Sequence, residues 1–185
     1  DDPLFVGMLG MHGIYAANKA VNQCDVLIAC GVRFDDRATG KIEQFSPHSV
    51  KIHIDIDASE IGKNVAIDYP LVADVGKALD SLMDRVTINH SFDSWLAQIN
   101  RWKEEITLSY ENDSGTLKPQ EVISLIHQYT KGEAIVTTDV GQHQMWAAHF
   151  YRVNKPRRFI TSGGLGTMGY GLPAAIGAQL AFPNE

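Results

Sequence analysis

Between Ser162 and Pro173 the chain reads SGGLGTMGYGLP, with five glycines from Gly163 to Gly171. A regular helix or strand does not suit such density, because glycine loses the most conformational freedom on ordering. The stretch is therefore expected to take positive φ or to lie against a ligand. Arg158 to Thr161 before it is strand-like, and Ala174 to Ala181 after it is helix-like. Strand, glycine turn and helix make a cradle whose unpaired N–H groups face a ligand at a helix N-terminus. Gly164, Gly166 and Gly169 satisfy the dinucleotide pattern GxGxxG in that setting. That pattern also wants an acidic residue about 20 positions further on, and no second strand carrying one appears before Glu185. A ligand-free turn is the plain alternative, although a tight turn rarely needs so many glycines.

The preceding chain alternates strand and helix. Ile14, Ala17 and Val21 recur at helical spacing within Gly13 to Asn22, and the apolar run Asp25 to Val32 reads as a strand buried on both faces. Val50 to Asp57 is a second strand, Leu71 to Ala73 a short third, and Val75 to Val86 a helix with Val75, Leu79, Leu82 and Val86 on one face. Asn89 to Ser109 reads as a surface helix with Phe92, Leu96, Ile99 and Trp102 inward. The turn-rich stretch Glu111 to Lys118 marks a boundary, Pro119 opens a further helix, and Ala134 to Thr138 is a strand followed by the loop Asp139 to Gln142. The expected fold is α/β: parallel sheets flanked by helices in two partial domains, 1–88 and 118–185, joined by a helix and linker at 89–117.

Composition excludes several classes of function. A net charge of −6 gives no basic stripe for nucleic acid, and no apolar run approaches the roughly 20 residues that span a bilayer. Cys24 and Cys30 stand at no metal-ligand spacing and are expected to be reduced core residues.

Three clusters in the first half carry polar chemistry. Leu9 to Ala17 sets Gly10 and Gly13 around Met11 and His12 before a helix: a backbone approach to a cofactor, or a simple loop with an exposed histidine. Gly31 to Gly40 packs Arg33, Asp35, Asp36 and Arg37 behind a strand, either as a solvated ion-pair loop or as a binding loop at a strand's C-terminal end. His53, Asp55 and Asp57 alternate, so all three side chains share a face, which suits a metal or the hydroxyls of a ribose. His143 and His149, six apart on a helix, face different sides and are no metal pair.

Asp139 to Trp146 (DVGQHQMW) together with SGGLGTMGYGLPAAIGA resembles the start of the pyrophosphate domain of thiamine-diphosphate enzymes, most closely the acetolactate synthase (acetohydroxyacid synthase) family. LGMHGIYAAN, GVRFDDRATG and HIDIDASEIGKN are similar to the FAD-binding half of that family's central domain, so the resemblance spans nearly the whole chain and is weakest from about Thr87 to Leu117.

The resemblance implies FAD contacts at Gly10, Met11, His12, Gly13, Gly31, Arg33, Asp36, Arg37, Asp55, Glu60, Asp74 and Val75, and in that family FAD does no net redox chemistry. It implies thiamine diphosphate contacts at Val140, Gly141, Gln142, His143, Gly166 and Met168, with Met168 bending the cofactor and Arg37 in the substrate channel. The family's catalytic glutamate would belong to a preceding domain, and the Mg²⁺ ligands to a GDG motif after residue 185, so no metal ligand is expected in this chain. The chain is expected to be an internal fragment, inactive alone. The implied reaction decarboxylates pyruvate and condenses the two-carbon unit with pyruvate or 2-ketobutyrate, on the route to branched-chain amino acids. The implied partners are those keto acids, a homodimer or tetramer, and a small regulatory subunit, with no nucleic acid and no membrane, in the cytoplasm or a plant plastid stroma. The alternatives are another thiamine-diphosphate carboligase or decarboxylase, or a non-catalytic dinucleotide-binding module.

Overall fold

The computed structural model describes residues 2–87, 89–111 and 115–185. Of the boundary stretch Glu111 to Lys118, positions 112–114 lie outside the described residues. The chain divides into two compact units, Asp1–Thr107 and Leu108–Glu185.

The first unit is built on three parallel strands in the order β1 (Val26–Cys30), β2 (Val50–Asp55) and β3 (Tyr69–Val72). Val26 pairs with Val50 and Cys30 with Ile54, while Ile52 pairs with Tyr69 and Asp55 with Val72. In this register Ala29 lies beside His53 on one face. There Ala29, Phe34 and Val65 are buried, with Leu27, Val32, Phe45 and Ile67 packed around them. The other face carries Val26 and Ile28, 49% and 52% exposed, so β1 is not buried on both faces as its apolar run suggests. On β1 only the Ala29 side is covered, and the alternation of a strand's side chains leaves Val26, Ile28 and Cys30 open, whereas on β2 Ile54, beside Cys30, is fully buried. Cys30 belongs to that open set and is exposed rather than a core residue; Cys24 is half-buried, its thiol donating to the Val21 carbonyl, and both cysteines are free.

Helix α1 (Tyr15–Gln23) packs against α4 (Asp93–Glu105) through Ala16, Ile99 and Trp102. Trp95 meets Trp102 edge to face at 5.6 Å, a favoured aromatic geometry. Trp95, not Phe92, completes the inward stripe, because Phe92 stands before the first turn as N-cap. A one-turn helix α2 (Asp36–Thr39) follows β1, capped by Asp35, whose carboxylate accepts the Arg37 and Ala38 N–H groups. Helix α3 (Val75–Met83) is capped in the same way by Asp74, which accepts the Lys77 N–H.

The second unit pairs β4 (Val136–Thr138) with β5 (Phe159–Thr161) in parallel. Helix α5 (Pro119–Thr130) has its proline in the first turn, where a missing N–H costs nothing, and ends in Lys131 with φ 54°. Helix α6 (Gln142–Phe150) follows β4 and α7 (Gly171–Ala181) follows β5. Among the described residues no helix is long and apolar enough to cross a membrane.

Candidate functional site

Ligands in parallel α/β sheets bind beyond the C-terminal ends of the strands. In the second unit both of those ends carry the residues singled out by sequence. The loop after β4 holds Asp139, Val140 and Gly141, and the loop after β5 runs from Ser162 to Tyr170. Strand ends and helix are bound together beneath them: the Thr138 and Thr161 hydroxyls lie 2.7 Å apart, and the Gln144 amide donates to Thr161 Oγ1 at 2.7 Å. Gly141 is the N-cap of α6 and has no side chain with which to cap it. The helix's first N–H groups are thereby left to an outside acceptor, which suits a diphosphate. Gln142 and His143 are the first residues of that turn.

The glycine turn is fixed at several points. Ser162 accepts the Gly166 N–H at its carbonyl (3.1 Å) and the Thr167 N–H at its hydroxyl (2.9 Å). Gly169 donates to both Asp139 carboxylate oxygens, at 3.0 and 2.9 Å. A Cβ on Gly166 would stand 4.0 Å from Val140 Cγ1, so the two loops meet there. Met168 projects outward, 81% exposed, and fills no core space within this unit. The Asp139 carboxyl is held below the usual aspartate range. The Val140 N–H contributes most, the Gly169 and Gly171 N–H groups and nearby His143 add to it, and burial opposes them.

The first unit shows the same arrangement of strand ends. The Gly31 N–H donates to the Ile54 carbonyl and the Ala73 N–H to the Asp55 carbonyl, so Gly31, Asp55 and Asp74 share the C-terminal edge of the sheet. Two separate loops are joined near it, since Met11 N–H donates to the Arg37 carbonyl at 2.7 Å. Asn18 clamps Gly10 from α1, accepting its N–H at 2.7 Å and donating to its carbonyl at 3.1 Å. The Gly13 N–H returns to the Gly10 carbonyl, and His12 is exposed on the turn between them. The Arg37 guanidinium lies 3.7 Å from Asp36, and Arg33 lies 3.9 Å from Asp35, both pairs in solvent. Glu60 pairs with Lys63 at 3.0 Å, and its second oxygen is buried without a hydrogen-bond partner. Val75 opens α3 directly after Asp74.

The shared polar face expected for His53, Asp55 and Asp57 does not form. β2 ends at Asp55, and Asp57 turns away to accept the Ser59 N–H and hydroxyl, the hydroxyl being the main reason its carboxyl lies below the usual range. His53 is fully buried, with Phe34 edge-on at 5.0 Å, and its Nε2 is 3.8 Å from Asp55. Among the described residues no three His, Cys, Asp or Glu side chains gather to hold a metal. Asp139 and Asn18 lie in the motifs DVGQHQMW and LGMHGIYAAN but are not among the individual contact residues expected from sequence. Asn18 was detectable as a polar residue on the otherwise apolar face of α1, and Asp139 as a carboxylate directly after a strand.

Residues 1–82 match the family model for the central domain of thiamine pyrophosphate enzymes, and residues 139–185 match that for their C-terminal TPP binding domain. The chain is 49% identical over 189 residues to acetolactate synthase 1, chloroplastic, of Zea mays, with 100% of this chain and 30% of that protein aligned. It is 46% identical over 186 residues to the acetolactate synthase isozyme 3 large subunit of Escherichia coli (97% and 32%), and 47% identical over 182 residues to the large subunit of Lactococcus lactis (98% and 32%). The chain thus spans about a third of the length of the curated relatives it matches. Its two matched domains and its similarity along nearly its whole length lead to one conclusion: the chain belongs to the thiamine pyrophosphate enzyme family, and within it resembles the acetolactate synthase large subunits.

Proposed function

We propose that this chain supplies part of the cofactor-binding framework of an acetolactate synthase, which decarboxylates pyruvate and joins the two-carbon unit to a second 2-keto acid, pyruvate or 2-ketobutyrate. The observation that carries this is the meeting of the loops after β4 and β5 at one sheet edge, Gly166 against Val140 and Gly169 on Asp139. Thiamine diphosphate supplies, when bound, the electron sink that lets a 2-keto acid lose CO2. In this reading the N–H groups at the start of α6, from Gly141 to His143, hold the diphosphate. Backbone groups at Gly166 would meet the aminopyrimidine, and the exposed Met168 would pack against the bound cofactor as an adaptable apolar wedge. The exposed Arg37 is suited to a keto-acid carboxylate, with Asp36 beside it to orient the guanidinium.

FAD fits the first unit in two respects: a Cβ on Gly31 would meet nothing within 4 Å, and one buried Glu60 oxygen lacks a partner. Gly10 to Gly13, Arg33, Asp36, Asp55, Asp74 and Val75 complete that proposed contact set, and FAD there takes no part in electron transfer. For Mg²⁺ the described residues offer no set of ligands of their own, and this reading assigns it none in this chain. The relatives' description as large subunits supports a small regulatory subunit as partner, and a domain division at 1–88, 89–117 and 118–185 belongs to the same proposal.

The test is made on the full-length enzyme containing this chain, supplied with thiamine diphosphate, Mg²⁺, FAD and pyruvate. Acetolactate is the expected product; release of acetaldehyde alone would point to a decarboxylase of the same family. Arg37→Ala should change the ratio of products when pyruvate and 2-ketobutyrate compete, and an unchanged ratio would remove Arg37 from the substrate channel.

A further inference from the structure

We propose that Asp139 is a positioning residue that staples the loops after β4 and β5 together and so sets where Gly166 and Met168 stand. The proposal rests on those loops forming the thiamine diphosphate seat.

Asp139 is the first residue beyond β4, and its carboxylate is shared between the two loops. On its own side Oδ1 accepts the Val140 N–H at 2.8 Å; on the other side both oxygens accept the Gly169 N–H, thirty positions along the chain. The start of α7 presses on the same peptide, because a Cβ on Gly171 would come within 2.6 Å of the Asp139 backbone nitrogen. Met168 therefore lies between two pinned neighbours. The Thr167 N–H is held by the Ser162 hydroxyl and the Gly169 N–H by Asp139, while the Met168 side chain is left free to meet a ligand.

An ionised carboxylate makes stronger hydrogen bonds to N–H groups than a neutral acceptor does. Holding the turn in advance spares a ligand the entropy of ordering it. The depression of the Asp139 carboxyl below its usual range agrees with a group that stays ionised while doing this.

The experiment compares wild-type, Asp139→Ala and Asp139→Asn forms of the full-length enzyme, each stripped of thiamine diphosphate. Hydrogen exchange by mass spectrometry should show peptides over 162–171 exchanging faster in Asp139→Ala, with peptides over 50–55 unchanged. Titration with thiamine diphosphate at fixed Mg²⁺, followed by tryptophan fluorescence, should then give a Kd raised about tenfold, the loss expected for a hydrogen bond to a charged group. Asp139→Asn keeps one carbonyl acceptor and should fall between the two. At saturating cofactor the KM for pyruvate should stay at the wild-type value. Wild-type exchange in 162–171 together with a wild-type Kd for Asp139→Ala would overturn the proposal. So would faster exchange throughout the chain with Asp139→Asn no better than Asp139→Ala, which marks a merely structural acid. Failure of the wild-type enzyme to bind thiamine diphosphate would instead refute the functional reading, and the exchange in stripped enzyme would still decide whether Asp139 holds the turn.

Discussion

Two glycine loops, 7–13 and 162–171, look alike in sequence and differ in what their glycines do. A Cβ on Gly13 would come within 2.4 Å of the Met8 carbonyl oxygen and the Leu9 carbonyl carbon, and one on Gly10 within 2.4 Å of the Arg37 carbonyl oxygen. These contacts are with backbone, which cannot rotate aside as a side chain can. Gly169, by contrast, has nothing within 4 Å of its would-be Cβ and is required by its φ of +82° alone. The first loop uses glycine to close the chain upon itself; the second does so only where α7 begins, at Gly171, whose Cβ would come within 2.6 Å of the Asp139 backbone nitrogen, and at Gly169 it uses glycine to turn an open backbone outward. A glycine pattern therefore reports a need for a missing Cβ without saying whether protein or ligand occupies the space.

Substitutions in the full-length enzyme can break or sharpen this contrast. Gly13→Ala should be the most damaging, costing about 3 kcal/mol or more, at the upper end of overpacking, seen as a large fall in thermal midpoint whether or not cofactors are present. Gly169→Ala should cost about 1–2 kcal/mol, the left-handed penalty for an L residue, while thiamine diphosphate binds more weakly. A thermal loss equal to that of Gly13→Ala would erase the distinction between the loops.

Acid should act on the second loop selectively. A carboxyl whose folded pKa is depressed stabilises above its unfolded value, near 3.9 for aspartate, and that contribution is lost as pH falls toward the folded one. Exchange in peptides 162–171, corrected for its intrinsic pH dependence and divided by that in 50–55, should rise as pH drops through 4. The smallest effect belongs to Leu165→Ala: this side chain is 88% exposed within this chain, and the substitution should change the stability of its own unit by less than about 0.5 kcal/mol.

Local features were legible in the sequence wherever short-range physics decides them. Pro119 marked the first turn of α5, and the 2.0 and 3.6 periodicities located β2, α3 and α4 to within a few residues. The helix after the glycine turn begins at Gly171 rather than Ala174, because Pro173 fits within a first turn, where no N–H is needed. Burial was harder to read. The apolar run at 26–30 is compatible with one covered face or two, and only the register with β2 shows that Ala29 faces the core while Ile28 does not. Alternation likewise predicted a common face for Asp57 that Ser59 prevents by offering a nearer partner. The bond from Gly169 to Asp139 was not legible, because Gly169 is distant in sequence and carries no side chain to signal the contact.

The central claim is that the loops after β4 and β5 together form the thiamine diphosphate seat. Its most direct test is a hydrogen-exchange footprint of the full-length enzyme with and without thiamine diphosphate and Mg²⁺. Peptides spanning 139–146 and 162–171 should both slow on binding, and those over 50–55 should not. Binding that leaves both loop peptides at their unliganded exchange rates would contradict the account.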